Sequence, residues 1–117
     1  PTRGGLGTTL NEIAAESGIG ITLHEALIPV KDEVRAACEF LGLDPLYSAC
    51  EGRLIAIVPE DEAEAALAAV RSDPHGTGAA IIGEVTAENP GFVEMVTLMG
   101  GRRMVDWLTG EQLPRIC

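Results

Sequence analysis

The hydrophobic period of the chain changes at Gly18, and that change constrains the fold more than any other feature. Before it, Leu6, Leu10, Ile13 and Ala14 recur at helical spacing and Gly18 supplies a stop, which predicts a helix over about residues 5–17. After it, Ile19, Ile21 and Leu23 alternate with Gly20, Thr22 and His24, the pattern of a half-buried strand with His24 on the solvated face.

The same two periods continue to alternate. Val34, Ala37, Cys38 and Leu41 mark an amphipathic helix over about 31–41, closed by Gly42, with Cys38 as a small buried hydrophobe. Asp44-Pro45 turns the chain and an extended piece follows. Residues 54–58 are a continuous apolar run, read as a central strand, so Glu51-Gly52 is expected in a tight hairpin between two strands. Pro59-Glu60-Asp61-Glu62 opens a further helix with acids where the dipole favours them, and Ala63, Ala66, Leu67 and Val70 form its expected buried stripe. Asp73-Pro74-His75-Gly76 breaks it. Residues 80–85 read as a strand, 88–91 as a turn, and 92–98 with 102–105 as a hairpin across Gly100-Gly101, Arg102 and Arg103 protecting an edge strand. A short helical turn is expected at 106–108. Helices interleaved with short strands predict an α/β fold, in detail an α+β sandwich with helices on a mixed or antiparallel sheet.

A length of 117 residues is one domain, and with 46% apolar but only 3% aromatic residues its core must be aliphatic. The net charge of −10 argues against nucleic acid or an anionic membrane as partner. No apolar run is long enough to span a bilayer and no signal peptide opens the chain. Pro1 stands where an initiator methionine would, which predicts a piece of a longer protein. Cys38, Cys50 and Cys117 are widely spaced with no Cys-x-x-Cys pair, so neither a zinc site nor a disulfide scaffold is expected, and a reducing cytoplasm fits best.

Three places carry possible chemistry. Arg3-Gly4-Gly5 precedes the first helix, where glycines let a ligand approach free N–H groups at the positive end of the dipole. Glu51 sits in its turn; from pattern alone it is an exposed turn acid. Cys117 ends a segment that, after Gly110, can reach at most about 23–25 Å. Its own α-carboxylate disfavours the thiolate, an effect that Arg115 or a binding pocket would offset.

The segment Gly110-Glu111-Gln112-Leu113-Pro114-Arg115-Ile116-Cys117 resembles the carboxyl terminus of the HypE family of hydrogenase maturation proteins. The opening Pro1-Thr2-Arg3-Gly4-Gly5-Leu6 is similar to the glycine motif that begins the second domain of that family and of the wider PurM-like, or aminoimidazole ribonucleotide synthetase-like, superfamily. Asp44-Pro45-Leu46-Tyr47 and Glu51-Gly52 also fit, so the resemblance spans essentially the whole chain. The motif normally begins with an aspartate one position earlier, outside this chain.

The resemblance implies a PurM-like C-terminal domain at residues 1–109 and a mobile tail at 110–117. It implies an ATP-dependent carbamoyl dehydratase that matures nickel–iron hydrogenase. In that scheme the carbamoyltransferase HypF loads a carbamoyl group onto Cys117, and the loaded group is dehydrated to a thiocyanate. The cyano group then passes to iron on the HypC–HypD complex. Glu51 becomes the candidate base. Thr2, Arg3, Gly4 and Gly5 would line the substrate and nucleotide site. ATP and Mg would be bound mainly by the missing first domain, with no cofactor expected in this piece alone, and the full-length protein would form a homodimer. Two other readings remain open: another PurM-like synthetase, such as a selenophosphate or aminoimidazole ribotide synthetase, and a non-enzymatic small α/β binding module. The terminal Pro114-Arg115-Ile116-Cys117 argues against the first of these.

Overall fold

The computed structural model describes residues 1–110. Three α-helices and a four-stranded mixed sheet make up the regular structure: α1 (Gly5–Ser17), β1 (Gly20–His24), α2 (Asp32–Leu41), α3 (Ala63–Arg71), β2 (Gly83–Thr86), β3 (Val93–Val96) and β4 (Arg102–Met104). Single 3-10 turns lie at Glu25–Leu27, Pro45–Tyr47 and Glu60–Glu62.

The sheet order is β2-β1-β3-β4. β1 pairs antiparallel with β2 and parallel with β3, and β3 pairs antiparallel with β4. The parallel register places Ile21 beside Val93 and Leu23 beside Met95. These four side chains therefore share one face, and with Leu10 and Ala14 of α1, Leu46 and Val105 they form the core. The opposite face carries the row Glu84, Thr22, Glu94, Met104. As a central strand, β1 is buried from Gly20 to Leu23, so the expected half-exposure gives way to flanking on both sides. His24, at its end, is half-exposed, with Nε2 3.5 Å from Glu84 Oε1.

The boundaries of α1 and α2 and the β3–β4 hairpin match the pattern in the sequence. Of the α2 stripe, however, only Cys38 is buried; Val34 and Leu41 are 43% and 62% exposed. The largest departure is at residues 54–58. They form no strand, and Leu54 is 83% exposed, because no other described segment hydrogen-bonds to them. Glu51-Gly52 is accordingly a turn with irregular chain on both sides, not a hairpin between strands. The extended piece expected after Asp44 is instead the 3-10 turn Pro45–Tyr47, nucleated by Asp44, whose Oδ1 accepts from the Leu46 N–H at 2.9 Å. In α3 no residue is buried: Ala63, Ala66 and Leu67 are half-buried and Val70 is exposed. β2 begins at Gly83, later than the apolar run suggested. Residues 106–108 make no helical turn. No helix among the described residues is long and apolar enough to cross a membrane.

Candidate functional site

The start of α1 is built from two glycines of positive φ and carries no side-chain cap. Gly4 is left-handed (φ 72°) and Gly5 also has positive φ (59°), while the Gly5 N–H donates to the Thr2 carbonyl at 3.1 Å to close the turn. No side chain caps the helix and no acid lies in its first turn. The unsatisfied N–H groups and the dipole therefore favour an anion there. Behind Gly4 lies the buried hydroxyl of Thr8, which has no hydrogen-bond partner. Thr2 and Arg3 are exposed beside it.

The 3-10 turn after Asp44 leans directly on this end. A Cβ on Gly5 would strike the carbonyl oxygens of Leu46 and Ser48. A Cβ on Gly7 would come within 2.7 Å of the Tyr47 ring. Only glycine lets the two backbones approach this closely. Glu51 follows Ser48 by three residues, so it lies within about 11 Å of that contact by chain reach. It is exposed, in the turn with Gly52. The structure thus brings Gly4 and Gly5 against the segment leading to Glu51. Cys117, with all of 111–117, lies outside the described residues.

Two functional candidates escaped the sequence reading. Asn11 is 3% exposed, and its Nδ2 donates to the carbonyls of Gly7 (3.0 Å), Val105 (2.8 Å) and Asp106 (3.4 Å). The Tyr47 hydroxyl donates to the Asp106 carbonyl at 2.7 Å. Burial, and next the negative charge of Asp44, push the Tyr47 phenol above its usual range, against the opposing pull of Arg103, so it stays a donor. The available signal was spacing: Gly7, Leu10, Asn11 and Ala14 share one helical face, which puts an amide among buried neighbours. A separate open groove of about 350 Å³, lined by Arg35, Cys38, Leu46, Met95 and Arg103 among others, includes none of the predicted site residues. Among the described residues no group of three or more His, Cys, Asp or Glu could hold a metal ion.

Residues 1–96 match the family described as "AIR synthase related protein, C-terminal domain". Carbamoyl dehydratase HypE of Azotobacter vinelandii is 65% identical over 117 residues, covering all of this chain and 34% of the relative. A solved structure of hydrogenase maturation protein HypE in complex with ATP superposes with a TM-score of 0.90 at 54% identity, over all of this chain and 36% of that one. A HypE–HypF complex structure superposes with a TM-score of 0.85 at 44% identity, over 91% of this chain and 34% of that one. The chain therefore spans about a third of the length of the relatives it matches. The opening glycine motif, the Asp44 turn and the mixed sheet under α1 agree with this match: the chain belongs to the AIR synthase related protein C-terminal domain family, as a HypE-type C-terminal domain.

Proposed function

We propose that this chain is the C-terminal part of a carbamoyl dehydratase that supplies the cyanide ligands of nickel–iron hydrogenase. The observation that carries the reading is 65% identity, over all of this chain, to a protein named carbamoyl dehydratase HypE. Relatives solved with ATP and with HypF support ATP as co-substrate and HypF as the carbamoyl donor. HypC–HypD as cyanide acceptor, a homodimer of the whole protein and a cytoplasmic location belong to the same proposal.

The chemistry starts from Cys117 carrying a carbamoyl group as a thioester. Loss of water from that group needs a better leaving group than oxide. The carbamoyl oxygen attacks the γ-phosphorus of ATP, ADP departs, and a proton leaves the nitrogen. The C–O bond of the resulting phosphorylated imidate then breaks, the second proton leaves, and a thiocyanate and phosphate remain. Glu51 is the base for these protons, held by the short chain that leans on Gly5. The N-terminal end of α1 at Gly4, where the Gly5 N–H closes the turn onto Thr2 and where Thr2 and Arg3 are exposed alongside, binds the anionic phosphate groups. Mg and most ATP ligands are assigned to the part of the protein outside this chain. Residues 1–117 alone should then turn over no ATP, since one wall of a site lacks preorganised partners.

The test is intact mass of the full-length protein incubated with HypF, carbamoyl phosphate and ATP. A carbamoyl adduct that maps to Cys117, loses water when ATP is present, and disappears in Cys117→Ala is expected. An adduct mapping to Cys38 or Cys50 would overturn the assignment.

A further inference from the structure

We propose that Asn11 and Tyr47 form a clamp on the backbone at Asp106 that fixes where the Cys117-bearing segment leaves the domain, and that they are positioning residues for dehydration. The inference rests on the reading of Cys117 as the carbamoyl carrier. Val105 is 2% exposed, and its N–H donates to the Val93 carbonyl at 2.8 Å. Its own carbonyl and that of Asp106 then accept from Asn11 and Tyr47. These are the last hydrogen bonds along the described chain, and Trp107, next in sequence, is 51% exposed.

Packing alone does not call for an amide at Asn11. A leucine would continue the apolar stripe of Leu10 and Ala14, whereas a buried amide costs stability unless its N–H groups find acceptors. Asn11 directs them at the carbonyls of Val105 and Asp106, close to the end of the described chain, as well as at Gly7 of its own helix. Tyr47 reaches the same peptide from the element whose neighbouring carbonyls abut Gly5. The clamp therefore ties three things at one point: the start of α1, the chain leading to Glu51, and the departure of the carrier.

Magnitudes separate this from a simple tether. Eleven residues from Asp106 to Cys117 span at most about 36–40 Å. If the clamp opens and the pivot retreats to Met104, two residues are added, and effective concentration falls only about 1.3-fold by the −3/2 power of length. A clamp that merely shortens the tether would be worth that little. One that aims the carrier is worth far more, because a misplacement of about 1 Å at the reacting group costs up to roughly 100-fold.

The experiment uses the full-length protein and Tyr47→Phe, which keeps the ring against Gly7 and removes the hydroxyl, with its bond to Asp106 and its contact with Arg103. Three quantities are read: amide hydrogen exchange over residues 105–110, the rate of carbamoyl loading by HypF, and the single-turnover rate of water loss from carbamoylated Cys117 at saturating ATP. Expected are faster exchange, loading within about 1.3-fold of wild type, and dehydration slowed on the order of ten-fold or more. Dehydration within the tether factor, or unchanged exchange, overturns the clamp. A parallel fall of loading, dehydration and melting temperature also overturns it, as a general folding defect. Asn11→Ala serves as the second variant and should slow dehydration at least as much. Wild-type protein that loads Cys117 but never loses water would instead sink the functional reading beneath it, while the exchange measurement would still report whether the peptide is held.

Discussion

Arg103 of β4 reaches across 59 residues of sequence to Asp44, with Nη2 2.9 Å from Oδ2, while the other carboxylate oxygen of Asp44 accepts the Leu46 N–H. One side chain thus caps the 3-10 turn and ties it to the outer strand of the sheet. Arg103 shares its register row with Met95 on the core-facing side, which is why it can reach Asp44 at all. Its neighbour Arg102 instead pairs with Glu94 on the opposite face, at 2.6 Å.

The cap should matter more than the ion pair. Asp44→Ala is expected to cost about 1–2 kcal/mol, combining a lost cap with a partly exposed pair. Arg103→Ala should cost under about 1 kcal/mol, and Asp44→Asn should recover most of the loss because its side chain can still cap. Urea unfolding of the three variants checks the order; equal costs for Asp44→Ala and Arg103→Ala would place the stability in the pair.

Gly5 and Gly18 offer a matched comparison. Both have left-handed φ, 59° and 64°, but a Cβ at Gly18 meets open space whereas one at Gly5 meets the Leu46 and Ser48 carbonyls. Gly18→Ala should cost about 1–2 kcal/mol from backbone strain alone. Gly5→Ala should cost roughly 3 kcal/mol or more, since the 46–48 segment must also move. Denaturant midpoints would show it, and in the full-length protein weakened ATP binding should accompany the second variant only.

Tyr47 gives a pH signature with a definite sign. Its folded-state ionisation lies above the ordinary value of 10.0, first through burial and then through Asp44. The fold therefore favours the neutral phenol. That stabilisation is fully present below about pH 10 and is lost as pH rises through the raised folded value. Wild type should lose stability relative to Tyr47→Phe only above about pH 10. Because the chain has a single tyrosine, ultraviolet titration of its tyrosinate reads the folded value directly.

Glu51→Gln keeps the shape of the side chain and removes the carboxylate proposed as the base. In the full-length protein it should still accept the carbamoyl group on Cys117, then accumulate that form with water loss slowed by about 10²–10⁴-fold. Normal conversion in a mass time course would return Glu51 to the role of a turn acid. Failure to load would assign it to docking of the carrier segment or of HypF.

What could be read in advance follows physical lines. α1, α2 and the β3–β4 hairpin were legible because stops at Gly18, Gly42 and Gly100-Gly101 and the periods between them are local properties. The run at 54–58 misled because apolarity records that a segment is meant to be covered, not by what. In a chain spanning a third of its relatives, cover need not come from within. The glycines at the start of α1 announced an uncapped helix end. The convergence of Asn11 and Tyr47 on Asp106 did not, since those contacts join positions 95 and 59 residues apart and depend on the completed sheet.

The parallel pairing of β1 with β3 has a consequence for synthesis. Ile21 waits for Val93, 93 − 21 = 72 residues later. At about 5–20 residues per second, a ribosome takes roughly 4–14 s to cover that interval. Throughout it, Ile21 and Leu23 have α1 on one side and no parallel neighbour on the other. The central strand is made early and completed late, so the nascent chain carries an unpaired strand edge, and an apolar face without Val93 and Met95, until residue 96 has been made.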